Sequence, residues 1–140
     1  HDTVIPRTKL VEVLRNVYQI ADKYELIVMN VFHAGDGNLH PLLIFDPEEQ
    51  GIMERVFSAG EEIVQASIDA GGVLSGEHGI GLEKKGFMEK FFTQDDLEAQ
   101  RLLKKAFDPD ERANPFKVLP SGASCIEVNH LKQLPEGTWI

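Results

Sequence analysis

Val31-Phe32-His33-Ala34-Gly35-Asp36-Gly37-Asn38-Leu39-His40-Pro41-Leu42-Leu43-Ile44-Phe45 holds two apolar runs parted by a turn-forming Gly-Asp-Gly-Asn. The first run extends back to Leu26 and is rich in Val, Ile and Phe, as is Leu39 to Phe45, so the stretch reads as a β-hairpin. With Asp36-Gly37 as a two-residue turn, Gly35 pairs with Asn38, Ala34 with Leu39 and His33 with His40. Directly opposed residues of an antiparallel pair have β-carbons about 4.5–5.5 Å apart and share a face, so this register sets two imidazoles side by side.

The flanking sequence changes period. Before the hairpin, Pro6 is followed by Leu10, Val13, Leu14, Val17, Ile20 and Ala21 at spacings of three and four, predicting a helix over about 7–23. After Asp46-Pro47, Ile52, Val56, Ala59, Ile63, Ala66 and Ile68 predict a second helix ending near Gly71-Gly72. Val73-Leu74 reads as a short extended piece feeding Gly76-Glu77-His78-Gly79-Ile80-Gly81, a loop that presents side chains. Thr93 with Gln94-Asp95-Asp96 supplies a cap and early acidic residues for a third helix, which ends at Asp108-Pro109. From Ser121 onward no period is sustained, so we expect one α+β domain over residues 1–120 and a tail over 121–140.

Composition narrows the function classes. Fourteen Lys and Arg against 23 Asp and Glu give a formal charge of −9, the wrong sign for tracking nucleic-acid phosphates. No run approaches the ~18 consecutive apolar residues of a bilayer crossing, and no signal-peptide pattern opens the sequence. The single Cys125 reads as an ordinary thiol and fits a reducing, cytoplasmic setting.

Chemistry concentrates at four residues. Two imidazoles suit Zn, Mn or Fe but are too few for a stable site, and Glu77, in a loop whose glycines permit close backbone approach, is the third donor. Two histidines and a carboxylate leave positions open for a substrate's carboxylate and hydroxyl, whose pKa a bound ion would lower. His78 is then free as proton acceptor, since imidazole titrates near about pH 6.5. Gly76 to Gly81 followed by Lys84-Lys85 fits neither the P-loop nor the dinucleotide spacing. Phe87, Met88, Phe91 and Phe92 read as core or interdomain packing.

Pro6-Arg7, the run Val31 to Asp46, Gly76 through Lys85 and the closing Asn114-Pro115-Phe116-Lys117-Val118-Leu119-Pro120 together resemble the FAD-linked oxidase C-terminal domain, the type found in glycolate oxidase, D-lactate dehydrogenase and D-2-hydroxyglutarate dehydrogenase. The resemblance covers roughly Ile5 to Pro120. It implies a ferredoxin-like cap domain, an antiparallel sheet with helices on one face, with His33, His40 and Glu77 as metal ligands, His78 as catalytic base and Asn114 beside the flavin. The substrate would be a small 2-hydroxy acid, glycolate or D-lactate. Two departures stand out: Phe116 occupies the place of the family's glycine, and Leu42 the place of the asparagine of the 2-hydroxyglutarate branch. The domain that holds most of the FAD has no room in this chain, so a flavin-binding domain, on this polypeptide or another, is an implied partner. The face toward it is expected near Phe87 to Phe92 and Asn114 to Val118, where exposure would drive self-association or docking. The competing readings are a stand-alone metal- or ligand-binding module without redox activity, and a structural interaction domain.

Overall fold

The structure, a computed structural model, describes residues 1–120; Cys125 and the expected tail lie outside the described residues. The chain divides into two compact units, His1–Gly79 and Ile80–Ile140.

The first unit is α+β. Strand β1 (Thr3–Val4) leads through a 3-10 turn at Arg7–Lys9 into helix α1 (Leu10–Lys23), then strands β2 (Ile27–His33) and β3 (Asn38–Ile44), and helix α2 (Ile52–Asp69). The sheet order is β1-β3-β2 with both pairings antiparallel. The stripe read from the sequence builds the core: Val13 and Val17 of α1, Ile63 of α2, Ile5 and Leu39 are fully buried, with Val28 and Leu43 packed against them. Alternation along a strand sends Leu39, Pro41 and Leu43 to this helix-covered face and His40, Leu42 and Ile44 to the other. Among the described residues that outer face is left bare. Ile27, Met29, Val31, Leu42 and Ile44 are between 44% and 67% exposed there, forming one apolar stripe beside the two histidines.

The hairpin register differs from the expected one. His33 pairs with Asn38 and Val31 with His40, so the loop is four residues, Ala34–Gly37, rather than two. The His33 carbonyl accepts the amides of both Asp36 (3.0 Å) and Gly37 (2.9 Å), and the Gly37 carbonyl accepts the amide of Ile5 (3.0 Å). Gly37 has φ +75, and a β-carbon there would lie 2.1 Å from the Ile5 carbonyl oxygen, so the start of the chain fixes the loop. The shift is of two positions. Side chains alternate with period two, so both histidines stay on the same face.

Helix α1 stops at a Schellman-type pair, Leu26 amide to Ala21 carbonyl and Glu25 amide to Asp22 carbonyl, with Glu25 at φ +53 in the left-handed position. Tyr24 and Lys23 at that end both bond the Glu62 carboxylate on α2, tying the two helices together.

The second unit holds a 3-10 turn at Lys85–Phe87, helix α3 (Met88–Phe91) and helix α4 (Gln94–Phe107). Thr93 caps α4 in a reciprocal box with Asp96, as its sequence suggests. Met88 and Leu97 are buried, and Phe91 and Phe92 meet edge to face with centroids 4.8 Å apart. The expected exposed apolar patch at Phe87 to Phe92 is therefore absent, its rings being half-buried in packing, whereas the other expected segment, Asn114 to Val118, is exposed throughout, with Phe116 and Val118 its large apolar side chains. The large bare apolar surface belongs instead to the outer face of the sheet, because three strands carry apolar residues on both sides while two helices cover one.

Candidate metal centre

Three elements of the first unit converge at the top of the sheet's outer face. His33 ends β2, His40 lies on β3, and the loop after Val73 brings Glu77 and His78 over them. The loop is held there by main-chain pairing: Val4 and Val73 exchange both backbone bonds, Val4 amide to Val73 carbonyl at 3.4 Å and the reverse at 2.8 Å. Gly76 follows, pressed so closely to the sheet that a β-carbon would lie 2.6 Å from the Val4 side chain and 2.8 Å from that of Asn38. Any larger residue would lift the loop from the strands.

The Glu77 carboxylate is the shared vertex. Its Oε1 lies 3.0 Å from His40 Nε2, 3.6 Å from His33 Nε2 and 3.7 Å from His78 Nε2. The His33 and His40 rings cross at 89° with centroids 5.4 Å apart, and His40 stacks on His78 at 5.1 Å. His40 is nearly enclosed, at 12% side-chain exposure against 53% for His33. Its Nδ1 is buried with no partner among the described residues, so the ring is engaged only from the Nε2 side.

These spacings fit a first-row divalent ion. Bonds of about 2.0–2.1 Å in tetrahedral arrangement separate neighbouring donor atoms by about 3.4 Å, between the 3.0 Å and 3.6 Å at which His40 Nε2 and His33 Nε2 lie from the Glu77 oxygen. Asp2, His40, Glu77 and His78 also have ligand atoms within 4.8 Å of one another, a grouping that includes His78 and omits His33. The four residues that the sequence points to therefore meet in space.

Asp2 carries no sequence signal. It precedes a two-residue strand and belongs to no motif; only the pairing of Thr3 with Leu39 brings it beside His40. Asn114 lies in the second unit, at φ +46.

A bare apolar sheet face thus lies beside three imidazoles and a carboxylate held by a glycine-rich loop, and comparison with known proteins places the chain in a family. The family model described as FAD linked oxidases, C-terminal domain, matches residues 1–118, and the chain belongs to this family. It is similar to the glycolate oxidase subunit GlcD of Escherichia coli (strain K12), 44% identical over 126 residues, covering 90% of this chain and 25% of that protein. Against the GlcD subunit of Bacillus subtilis (strain 168) it is 37% identical, over 87% of this chain and 26% of the relative. Against the D-lactate dehydrogenase of Archaeoglobus fulgidus it is 34% identical, over 84% and 26%. The chain thus spans about a quarter of the length of these relatives. No helix among the described residues is long and apolar enough to cross a membrane.

Proposed function

We propose that this chain is the substrate- and metal-binding portion of an FAD-dependent 2-hydroxy-acid dehydrogenase of the glycolate or D-lactate type. The observation that carries the reading is the Glu77 oxygen within 3.7 Å of three imidazole nitrogens. His33, His40 and Glu77 would hold a divalent ion, Zn, Mn or Fe, which when bound acidifies a coordinated substrate hydroxyl and neutralises its carboxylate. His78, 62% exposed and stacked on His40, is free on its outer side to accept that hydroxyl proton at a ring nitrogen. A flavin held beside this site would supply the acceptor for the hydride of the α-carbon, so that with the hydroxyl proton passed to His78 the substrate would become the 2-oxo acid. Asn114 is assigned to the flavin side on the family motif alone.

The flavin is held mainly by polypeptide outside this chain. The apolar stripe from Ile27 to Ile44, continuous with the imidazoles, is where that part would sit, because an apolar surface of this extent gains most by burial. The lone Cys125 accords with a reducing, cytoplasmic setting.

The test uses the intact flavoprotein and the chain side by side. Metal analysis should find about one divalent ion per chain in both, and glycolate or D-lactate should bleach the flavin of the intact protein only while metal is bound. Intact protein that turns over with no metal would overturn the reading. Metal binding by a protein that neither holds flavin nor oxidises a 2-hydroxy acid would favour the stand-alone module.

A further inference from the structure

We infer that Asp2 is a positioning residue: its carboxylate fixes the backbone of Ser75–His78 so that Glu77 and His78 together face the imidazoles of β2 and β3. Asp2 is fully buried, at 0% exposure. Its Oδ2 accepts from the Ser75 hydroxyl at 2.6 Å and from the amides of Gly76 (3.1 Å), Glu77 (3.3 Å) and His78 (3.0 Å); Oδ1 accepts from Glu77 as well, at 3.3 Å. Three successive amides aimed at one point form the kind of nest that binds anions, and here the anion is the protein's own. Hydrogen bonds to an ionised acceptor are roughly twice as strong as neutral ones, and several on one buried carboxylate compensate its desolvation.

The backbone delivers Asp2 to this spot. Thr3 opposite Leu39 and Val4 opposite Asn38 carry the ladder one step further, to Asp2 beside His40. The main chain closes the same contact from the other side, Gly76 amide to Asp2 carbonyl at 3.3 Å, and the Ser75 hydroxyl accepts the Gly79 amide at 2.8 Å. Both ends of the Glu77-His78 segment are thereby fixed. Asp2 has a ligand atom within 4.8 Å of those of His40, Glu77 and His78, yet its carboxylate is turned to the loop: Oδ2 takes four donors and Oδ1 accepts from Glu77. Its contribution is orientation, as with the outer partners of metal sites, whose loss costs about 10–100-fold in affinity.

The inference rests on the metal reading above, so its test has one arm that needs no metal. In metal-free chain, amide exchange at Gly76, Glu77 and His78 should speed up at least tenfold in Asp2→Asn and less in Ser75→Ala, while α1 and α2 keep their protection. In the second arm, Zn2+ titration should show affinity about tenfold or more weaker in Asp2→Asn, whereas Co2+ bound to the variant at saturation keeps the wild-type ligand-field spectrum because the ligand set is unchanged. An altered Co2+ spectrum would make Asp2 a ligand and overturn the inference, as would unchanged exchange of the three amides. Wild-type chain that binds neither ion defeats the metal reading, and the exchange arm still decides the role of Asp2.

Discussion

His33 and His40 are diagonal neighbours across the hairpin, His33 opposite Asn38 and His40 opposite Val31, and their rings still meet at 5.4 Å. Diagonal residues on one face remain within reach of long or aromatic side chains. We expect His33→Ala and His40→Ala each to weaken Zn2+ binding at least tenfold with the far-ultraviolet spectrum unchanged. His40→Ala should be the more severe, since that ring is the better enclosed and lies nearest Glu77. Titration calorimetry decides it: unchanged Zn2+, Mn2+ and Fe2+ binding in both variants sinks the site.

Glu77 and His78 are neighbours with separate duties. In the intact flavoprotein, His78→Ala should lower kcat by about 10²–10⁴-fold, the usual worth of a placed proton acceptor, with metal content normal. Loss of metal from this variant would instead put His78 in the ligand set, as the grouping of Asp2, His40, Glu77 and His78 allows.

The outer face of the sheet should behave as a docking surface. Met29 and Leu42 are opposed there and both exposed. Replacing Met29 with Glu costs the isolated chain little, since nothing among the described residues covers it, but should weaken capture of the separately expressed flavin-binding part at least tenfold. Equal capture of variant and wild type by surface plasmon resonance would remove this face from the interface.

Phe116 sits where the family motif has glycine, and its φ is +64 with the ring 71% exposed. A non-glycine residue in the left-handed region costs about 1–2 kcal/mol, part of which glycine returns as chain entropy in the unfolded state. Phe116→Gly should raise the stability of the second unit by up to about 1 kcal/mol, read from amide exchange across Gln94–Phe107. Faster exchange would show that the exposed ring contributes more than the strain removes.

Glu62 gives the first unit a pH signature. Hydrogen bonds from Lys23 and then Tyr24 hold its carboxyl below the usual range, and Glu62 in turn raises Tyr24. A depressed carboxyl contributes stability above its unfolded value, about 4.3, that is lost as pH falls through the folded value; a raised phenol contributes below about 10 and loses it on the alkaline side. The gap in denaturant midpoint between wild type and Glu62→Gln should be constant near neutrality and close at both flanks. A gap that persists unchanged into acid would exclude this bond as its source.

The sequence by itself determined the three long helices, the hairpin and the residues that would meet at its end. Helical spacing from Leu10 to Ala21 and from Ile52 to Ile68, the Thr93 cap and the Gly-Asp-Gly-Asn turn are local signals, and the observed elements follow them within a few residues. His33 and His40 were legible because period-two alternation fixes the face of a strand residue whichever even register the turn selects, and Glu77 and His78 because flanking glycines mark a loop that presents side chains. Tertiary structure decided what depends on residues far apart in the chain. The Ile5 backbone sets the loop length through Gly37, and Asp2 reaches the loop at Ser75–His78 across more than seventy residues. The bare face is likewise a tertiary fact: Met29 and Leu42 are apolar strand residues, and the placement of both helices on the opposite side leaves them exposed.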